Sequence, residues 1–381
     1  MKTRERLGGV YRAPLLAWRL MSQGRYDYVY DKMAISQRGM SWAKRINLAR
    51  SGLNLLYRRI RPWSMPLHMQ FELVNYCNLR CPVCPTGNRE LKRPPQMMDP
   101  SLFRDTMAEV GPYLLTASLW AWGESLLHPQ FADFLREAQK YKIAALISTN
   151  GQNLDHDEVI DALIEYPPAF LIVAIDGITD ETNSRFRIGA RLAPIIAGMR
   201  KLVERKKRMR LSLPILQMRF MEMNHNRHEL PEVEAFAASN GFEMLALRRL
   251  CIVDSDLGIS AHRRLTADIT EDWKGLSGGK AVDHVCMEPF WFPTLFADGT
   301  VVGCDQDFNA QKPMGRIGAG VKFRDLWTGS EAAATRRIIR DTPKTLGFCR
   351  NCPAIQRDST DASYQAIWLD RGRKKELLME G

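Results

Sequence analysis

Between His68 and Arg249 the sequence alternates short apolar runs with helical stretches, and this alternation leaves few folds open. Runs at Met69–Val74, Leu115–Trp120, Ala144–Ser148, Phe170–Ile175, Pro214–Phe220 and Met244–Arg248 have the length and apolar character of strands. Helical patterns lie between them, near residues 100–110, 129–140, 156–165, 192–207 and 227–239. Pro100 and Asp155 suit helix starts, and Asn240-Gly241 suits a stop. Six strands separated by helices imply a parallel sheet, wound open or curled into a partial barrel.

Around this unit the pattern changes. Residues 251–285 hold Gly258, Gly275, Gly278 and Gly279 and read as a connection; Asp298-Gly299-Thr300 then signals a hairpin, and a Cys-rich stretch follows. The expected organisation is an N-terminal arm over 1–67, a β/α unit over 68–250, the connection, a Cys-bearing domain over 286–355, and a tail over 356–381.

The net charge of +11 suggests a nucleic-acid or membrane-surface partner until its distribution is considered. Of 54 Lys and Arg and 43 Asp and Glu, residues 1–67 hold 14 and 3, so the remainder is balanced. The arm reads as helical. Ile46, Ala49, Leu53, Leu56 and Ile60 recur in steps of three and four and form one stripe, with Lys44, Arg45, Arg58 and Arg59 beside or opposite it. Such a helix either rests on an anionic membrane surface or packs on the main domain with a solvated basic face. The longest apolar run, Ala169–Ile175, falls far short of the ~18–20 residues of a spanning helix. Arg19 interrupts the short apolar run near Leu15–Trp18, so no secretory signal is expected and the reading is cytoplasmic, with an optional contact at the inner membrane surface.

Without a secretion route, eight cysteines point to metal or cluster ligation rather than disulfides. Cys77, Cys81 and Cys84 directly follow the first strand. Three thiolates leave one iron of a 4Fe–4S cluster open, whereas a structural zinc would want a fourth ligand, and none follows at suitable spacing. The loop also lies at the C-terminal end of a strand, where β/α barrels gather their chemistry.

Cys77-Asn-Leu-Arg-Cys81-Pro-Val-Cys84 resembles the Cx3Cx2C signature of the radical S-adenosylmethionine (radical SAM) superfamily. Further matches follow at successive strand ends. Trp122-Gly123-Glu124-Ser125 stands where that family holds the SAM amino group, and Ser148-Thr149-Asn150-Gly151 and Ala174-Ile175-Asp176-Gly177 come after the next two strands. Arg185-Phe186-Arg187-Ile188-Gly189 resembles the stretch that gives an arginine to the SAM carboxylate. Val83, at a usually aromatic position, would present its backbone to adenine; Trp122 and Ser125 replace the family's Gly and Pro. The resemblance implies a partial (β/α)6 TIM-like barrel of the α/β class. It implies SAM-binding roles for Val83, Trp122, Gly123, Glu124, Ser125, Ser148, Asn150, Asp176 and Arg187. It also implies a cluster on Cys77, Cys81 and Cys84 whose electron cleaves SAM to a hydrogen-abstracting 5′-deoxyadenosyl radical.

Cys286, Cys304, Cys349 and Cys352 remain, with Cys251 left over as a small buried residue. Four cysteines can close a 4Fe–4S cluster completely, and a four-cysteine zinc ribbon competes on spacing. The set is similar to the auxiliary-cluster region of SPASM/twitch radical SAM enzymes, in the shorter form with one auxiliary 4Fe–4S cluster. That likeness implies an external electron donor such as flavodoxin or ferredoxin. It also implies hydrogen abstraction from a small polar or sugar-like metabolite, ending in oxidation or epimerisation. Asp305, Asp307 and His284, close to the cysteines, are the candidate proton-transfer groups. A peptide substrate is the second form of this reading, disfavoured because peptide maturases often carry a mixed strand–helix N-terminal domain. A zinc-bearing nucleic-acid binder is the competing class. The charge confined to residues 1–67 and a three-Cys loop unlike a finger spacing speak against nucleic acid.

Overall fold

The computed structural model describes residues 18–30, 32–250, 286–318, 320–350, 352, 363–369 and 377–380. The expected connection, Cys251 and His284 lie outside these described residues. Strands β1 (Tyr26–Tyr30) and β2 (Met33–Arg38) are followed by helix α1 (Trp42–Tyr57). The six anticipated strands come next: β3 (His68–Phe71), β4 (Thr116–Ser118), β5 (Ala144–Thr149), β6 (Phe170–Ala174), β7 (Ile215–Glu222) and β8 (Met244–Arg249). They pair in parallel in chain order, with helices at Pro100–Val110, Phe131–Lys140, Asp157–Glu165, Leu192–Met209 and Leu230–Ser239 between them. Asp99 caps the first of these helices by accepting from Ser101 N at 2.7 Å, with Pro100 in its first turn. Asp155 caps nothing: His156 holds the N-cap position of its helix and makes no side-chain cap bond.

Strand parity divides the core. Ala145, Ile147, Leu171, Val173, Leu216 and Met218 face the helices in one large buried cluster. Their neighbours Ala144, Leu146, Phe170, Ile172, Ile215 and Met244 point to the concave side and cluster with Ile35 of β2. Toward the strands' C-terminal ends the same inward parity turns polar, through Gln70, Ser118, Ser148, Gln217, Arg219 and Arg248. The fold thus has an apolar floor and a polar, open end.

The Cys-bearing region is continuous with the barrel. Strand β9 (Thr294–Leu295) pairs in parallel with β3, and β10 (Thr300–Val302) and β11 (Pro313–Arg316) extend the sheet antiparallel. Gly299 turns the chain between β9 and β10 at φ +89°, a conformation that favours glycine, as the hairpin signal anticipated. One ten-stranded sheet results.

Three expectations at the ends of the chain need correction. The N-terminal arm is not all helical, because alternating aromatic and polar residues pair β1 with β2 from Tyr26↔Gln37 to Tyr30↔Met33. This hairpin closes the floor, with Tyr28 Oη 2.6 Å from Thr116 Oγ1 and Gln37 Nε2 donating to Leu115 O at 2.7 Å. Nor are residues 356–381 merely a tail: β12 (Ser363–Trp368) pairs antiparallel with β8, and β13 (Leu377–Glu380) pairs in parallel with β2. Finally, α1 buries its polar side, including Lys44, Asn47, Ser51 and Asn54, and not its apolar stripe. Lys44 is therefore no solvated basic group; burial lowers its pKa to about 8, and Nζ donates to Tyr141 O and Lys142 O. No helix among the described residues is long and apolar enough to cross a membrane.

Candidate functional site

The loop that carries the first three cysteines is tied at its base. Asn75 N donates to Gln96 O at 3.1 Å and Gln96 N returns a bond to Asn75 Oδ1 at 2.6 Å. Met98 N donates to Leu73 O at 2.8 Å, so the chain leaves β3 and comes back beside it. Cys84 N donates to Cys81 O, Leu79 N to Cys77 Sγ at 3.4 Å, and Asn150 Nδ2 to Cys77 Sγ at 3.4 Å. Gly87 lets the loop close on itself: a Cβ there would lie 2.5 Å from Cys81 O. Burial pushes the Cys77 thiol up to about 11 and Cys81 to about 12, with neighbouring acidic groups adding to the shift and Arg187 opposing it at Cys81. Such a donor set becomes thiolate when a cation supplies the opposing charge. Three thiols on one loop suit a multi-iron cluster, whose thiolates bind separate irons at its corners.

These cysteines line a cavity of about 620 Å³ with Val83, Trp122, Gly123, Glu124, Ser148, Asn150, Asp176 and Arg187. Eight of the nine proposed SAM-binding residues thus share one space with the three cysteines. The ninth, Ser125, does not line it: its side chain is buried, with Oγ donating to Leu119 O at 2.6 Å, because the turn after β4 needs that carbonyl satisfied. Glu124 is buried and accepts from Leu126 N at 3.0 Å, Thr149 Oγ1 at 2.7 Å and Asn150 N at 2.8 Å. Burial still raises its pKa above the ordinary carboxylate value. Asp176 receives Met221 N at 2.8 Å and ion-pairs with Arg187 at 2.7 Å. Burial raises Asp176, and Arg187 pulls it back.

The second cysteine set converges in space although the chain spreads it over residues 286–352. Cys304 feels the charges of Cys286 and Cys352, and Cys349 feels those of Cys286 and Cys352. Burial pushes Cys286 and Cys349 to about 12 and Cys304 well above the usual thiol value. Of the two neighbouring acids, Asp305 lines the cavity, and its carbonyl accepts Trp122 Nε1 at 2.7 Å. Asp307 does not line it. Its carboxylate closes a turn by accepting Gln311 N at 2.6 Å and Lys312 N at 2.8 Å, so the structure gives it a scaffolding role. Glu288, which sequence reading missed, lines the same cavity; burial and the Asp305 charge push it to about 8. His68, buried at the start of β3, also lines it, with its ring edge-on to Trp291 at 4.8 Å.

A family model for the Radical SAM superfamily matches residues 71–217, and one for the SPASM iron–sulfur cluster-binding domain matches residues 286–353. The chain belongs to the radical SAM superfamily, in its SPASM/twitch subgroup. A tungsten-containing aldehyde ferredoxin oxidoreductase cofactor-modifying protein of Pyrococcus furiosus is 28% identical over 186 residues, 48% of this chain and 51% of that one. A pre-heme d1 synthase of Dinoroseobacter shibae is 26% identical over 182 residues, 47% of this chain and 42% of that one. The chain therefore matches about half the length of these curated relatives. Among solved structures, Streptococcus suis SuiB bound to S-adenosylmethionine superposes with a TM-score of 0.56 at 14% identity, over 81% of this chain and 77% of that chain. SuiB has also been solved bound to the precursor peptide SuiA. The anSMEcpe structure with bound AdoMet gives 0.53 at 14% identity, over 78% of this chain and 92% of that chain. At such identities the likeness is one of fold.

Membership makes SAM and 4Fe–4S clusters the cofactors of this radical SAM chain, and it removes the zinc reading of the C-terminal cysteines. The radical SAM core depends on close backbone approach at Gly123, where a Cβ would run into the Val74 carbonyl and lie 2.9 Å from Tyr76 O. Thr86 Oγ1 donates to the Trp122 carbonyl and ties the cysteine loop to this same turn. Gly123→Ala is therefore expected to destabilise the chain by about 1–3 kcal/mol, the usual cost of overpacking. It should also loosen the cysteine loop. Lower anaerobic melting temperature together with faster iron loss to a chelator would show this; unchanged iron retention would contradict it.

Proposed function

We propose that this radical SAM enzyme takes a hydrogen atom from a small polar or sugar-like metabolite, in an oxidation or an epimerisation. One observation carries the reading. A single cavity is lined by Cys77, Cys81 and Cys84 and also by Glu288 and Asp305, which adjoin the second cysteine set. Its volume, about 620 Å³, lies in the range of small-molecule sites. Gln70, Ser118, Arg219 and Arg248 add polar groups to the lining.

When bound, a cluster on the three-Cys loop with SAM would supply one-electron cleavage of the S–C5′ bond and hence a carbon able to accept hydrogen. The chain's own groups would do the rest. Glu124, held by three donors, would face the SAM amino group, and Arg187, steadied by Asp176, would meet its carboxylate. Asp305 and Glu288, which line the cavity, would move a proton at the substrate, and Cys286, Cys304, Cys349 and Cys352 would hold the auxiliary cluster. A flavodoxin- or ferredoxin-type donor would deliver the electron.

A peptide substrate is the second reading, because the N-terminal region is a mixed strand–helix unit and not an all-helical arm. Among the described residues β1 and β13 are the outer strands of its three-stranded sheet, the kind of edge to which a peptide strand can add. Anaerobic purification tests the main proposal. About eight irons per chain, with 5′-deoxyadenosine formed from SAM under dithionite, is the expected result. A colourless, zinc-loaded protein would sink it. Turnover stimulated by peptides but never by low-molecular-weight metabolites would move the assignment to the second reading.

A further inference from the structure

Helix α1 sits on the domain with its faces reversed relative to an ordinary amphipathic helix. Its inward side is fixed by polar bonds: Asn47 donates to Met65 O at 3.1 Å and accepts from Met65 N at 2.8 Å. Asn54 donates to Ser64 Oγ at 2.5 Å and accepts from Trp63 N at 3.0 Å, and Lys44 Nζ is held by two carbonyls near the end of the next but one helix. Outward lies the apolar stripe. Trp42, Ile46, Leu53, Leu56, Tyr57 and the nearby Trp63 are each between 42% and 72% exposed. Single exposed apolar residues are ordinary on a protein surface; a row of them on one helix face is not.

Along the helix and its flanks the charge has one sign, although Asp341 from a C-terminal helix lies near Arg58 at its end. From Arg38 to Trp63 the sequence contains no Asp or Glu, while Arg38, Arg50 and Arg61 are exposed. Arg45 lies 4.6 Å from the centre of the Trp42 ring, and Arg59 lies 3.6 Å from that of Trp63. Aromatic residues therefore stand at both ends of the stripe with guanidinium groups against them, and aliphatic residues occupy the middle. A second copy of the chain would bring an identical cationic rim to this face and be repelled. An anionic lipid surface supplies both complements, acyl chains for the stripe and head-group charge for the arginines. Trp and Tyr rings favour the boundary between those layers.

We propose that α1 docks the protein on anionic membranes, lying in the plane of the interface with Ile46, Leu53 and Leu56 inserted. This proposal stands apart from the reading of the active site. Its test uses the full-length, cluster-loaded protein and sedimentation with vesicles of phosphatidylcholine alone or with a third phosphatidylglycerol. Binding to the mixed vesicles only, weakened at least tenfold between low and high salt, is expected. Leu53→Asp with Leu56→Asp should lower vesicle binding at least tenfold while leaving SAM cleavage and circular dichroism unchanged, because both side chains are exposed. Arg50→Glu with Arg61→Glu should remove the preference for anionic lipid. Failure of the native protein to bind mixed vesicles overturns the proposal, as does undiminished binding by the Leu53/Leu56 variant. A dimer that dissociates in that variant, with no vesicle binding, would assign the face to a second copy and equally overturn it.

Discussion

Arg93→Met is expected to destabilise the folded chain by about 3–5 kcal/mol, the cost of stranding a buried charge. Glu72, just beyond β3, is fully buried, and Arg93 meets it with two bonds of 2.6 Å. The same guanidinium donates to Phe308 O at 2.8 Å and lies 3.7 Å from the centre of the Phe296 ring. Glu72 also accepts Ala297 N at 3.3 Å, so the pair joins the cysteine loop, the barrel strand and the SPASM region at one point. Burial already holds the Glu72 pKa above its ordinary value, with Arg93 pulling it down. Removing Arg93 raises it further, so the variant's native state binds the Glu72 proton more tightly than its unfolded state does. The deficit relative to the native protein therefore shrinks as pH falls toward the ordinary carboxylate value and grows as pH rises. Glu72→Gln combined with Arg93→Met should recover part of the loss, because no charge is left unpaired. Anaerobic melting of the cluster-loaded native protein and the two variants at pH 6 and pH 8 checks the order and the pH trend. An Arg93→Met chain that melts with the native protein would contradict both.

The barrel strands were legible because strands buried on both faces are locally apolar, as in Phe170-Leu-Ile-Val-Ala174. The first cysteine loop was legible for a related reason: its three cysteines and their strand lie within a few residues of one another. The features that escaped depend on partners distant in sequence. Strand β12 pairs Trp368 with Met244, and β13 pairs Glu380 with Arg38, so neither sequence carries its own signal. The stripe of α1 was visible, but periodicity gives only two faces and not which one is buried. That choice is made by carbonyls near residues 65 and 141, which Asn47 and Lys44 find only in the folded chain. Asp305 and Asp307 look alike in sequence; a turn that captures Asp307 separates them. Glu288 had no local mark beyond its place two residues after Cys286, and only the packing of that segment against the barrel brings it to the cavity.

Replacing one cysteine from each set should separate the two proposed clusters. Cys81→Ala is expected to lose about four irons and all SAM cleavage, because Cys81 lines the SAM side of the cavity beside Arg187. Cys304→Ala is expected to lose a similar amount of iron yet still form 5′-deoxyadenosine from SAM, since Cys304 does not line the cavity and has Cys286 and Cys352 as its cysteine neighbours. The contrast does not depend on knowing the substrate, because SAM cleavage can be read without one. It also distinguishes chemistry from folding. Both substitutions remove only a sulfur atom, so a general collapse would abolish cleavage in both variants alike. Cleavage surviving in Cys81→Ala would displace the catalytic cluster from the first loop. If Cys304→Ala lost cleavage while keeping its iron, the C-terminal cysteines would serve the SAM step itself. The expected pattern, one variant silent and the other active, would place electron entry to SAM at Cys77, Cys81 and Cys84, and leave the second set to act after hydrogen abstraction.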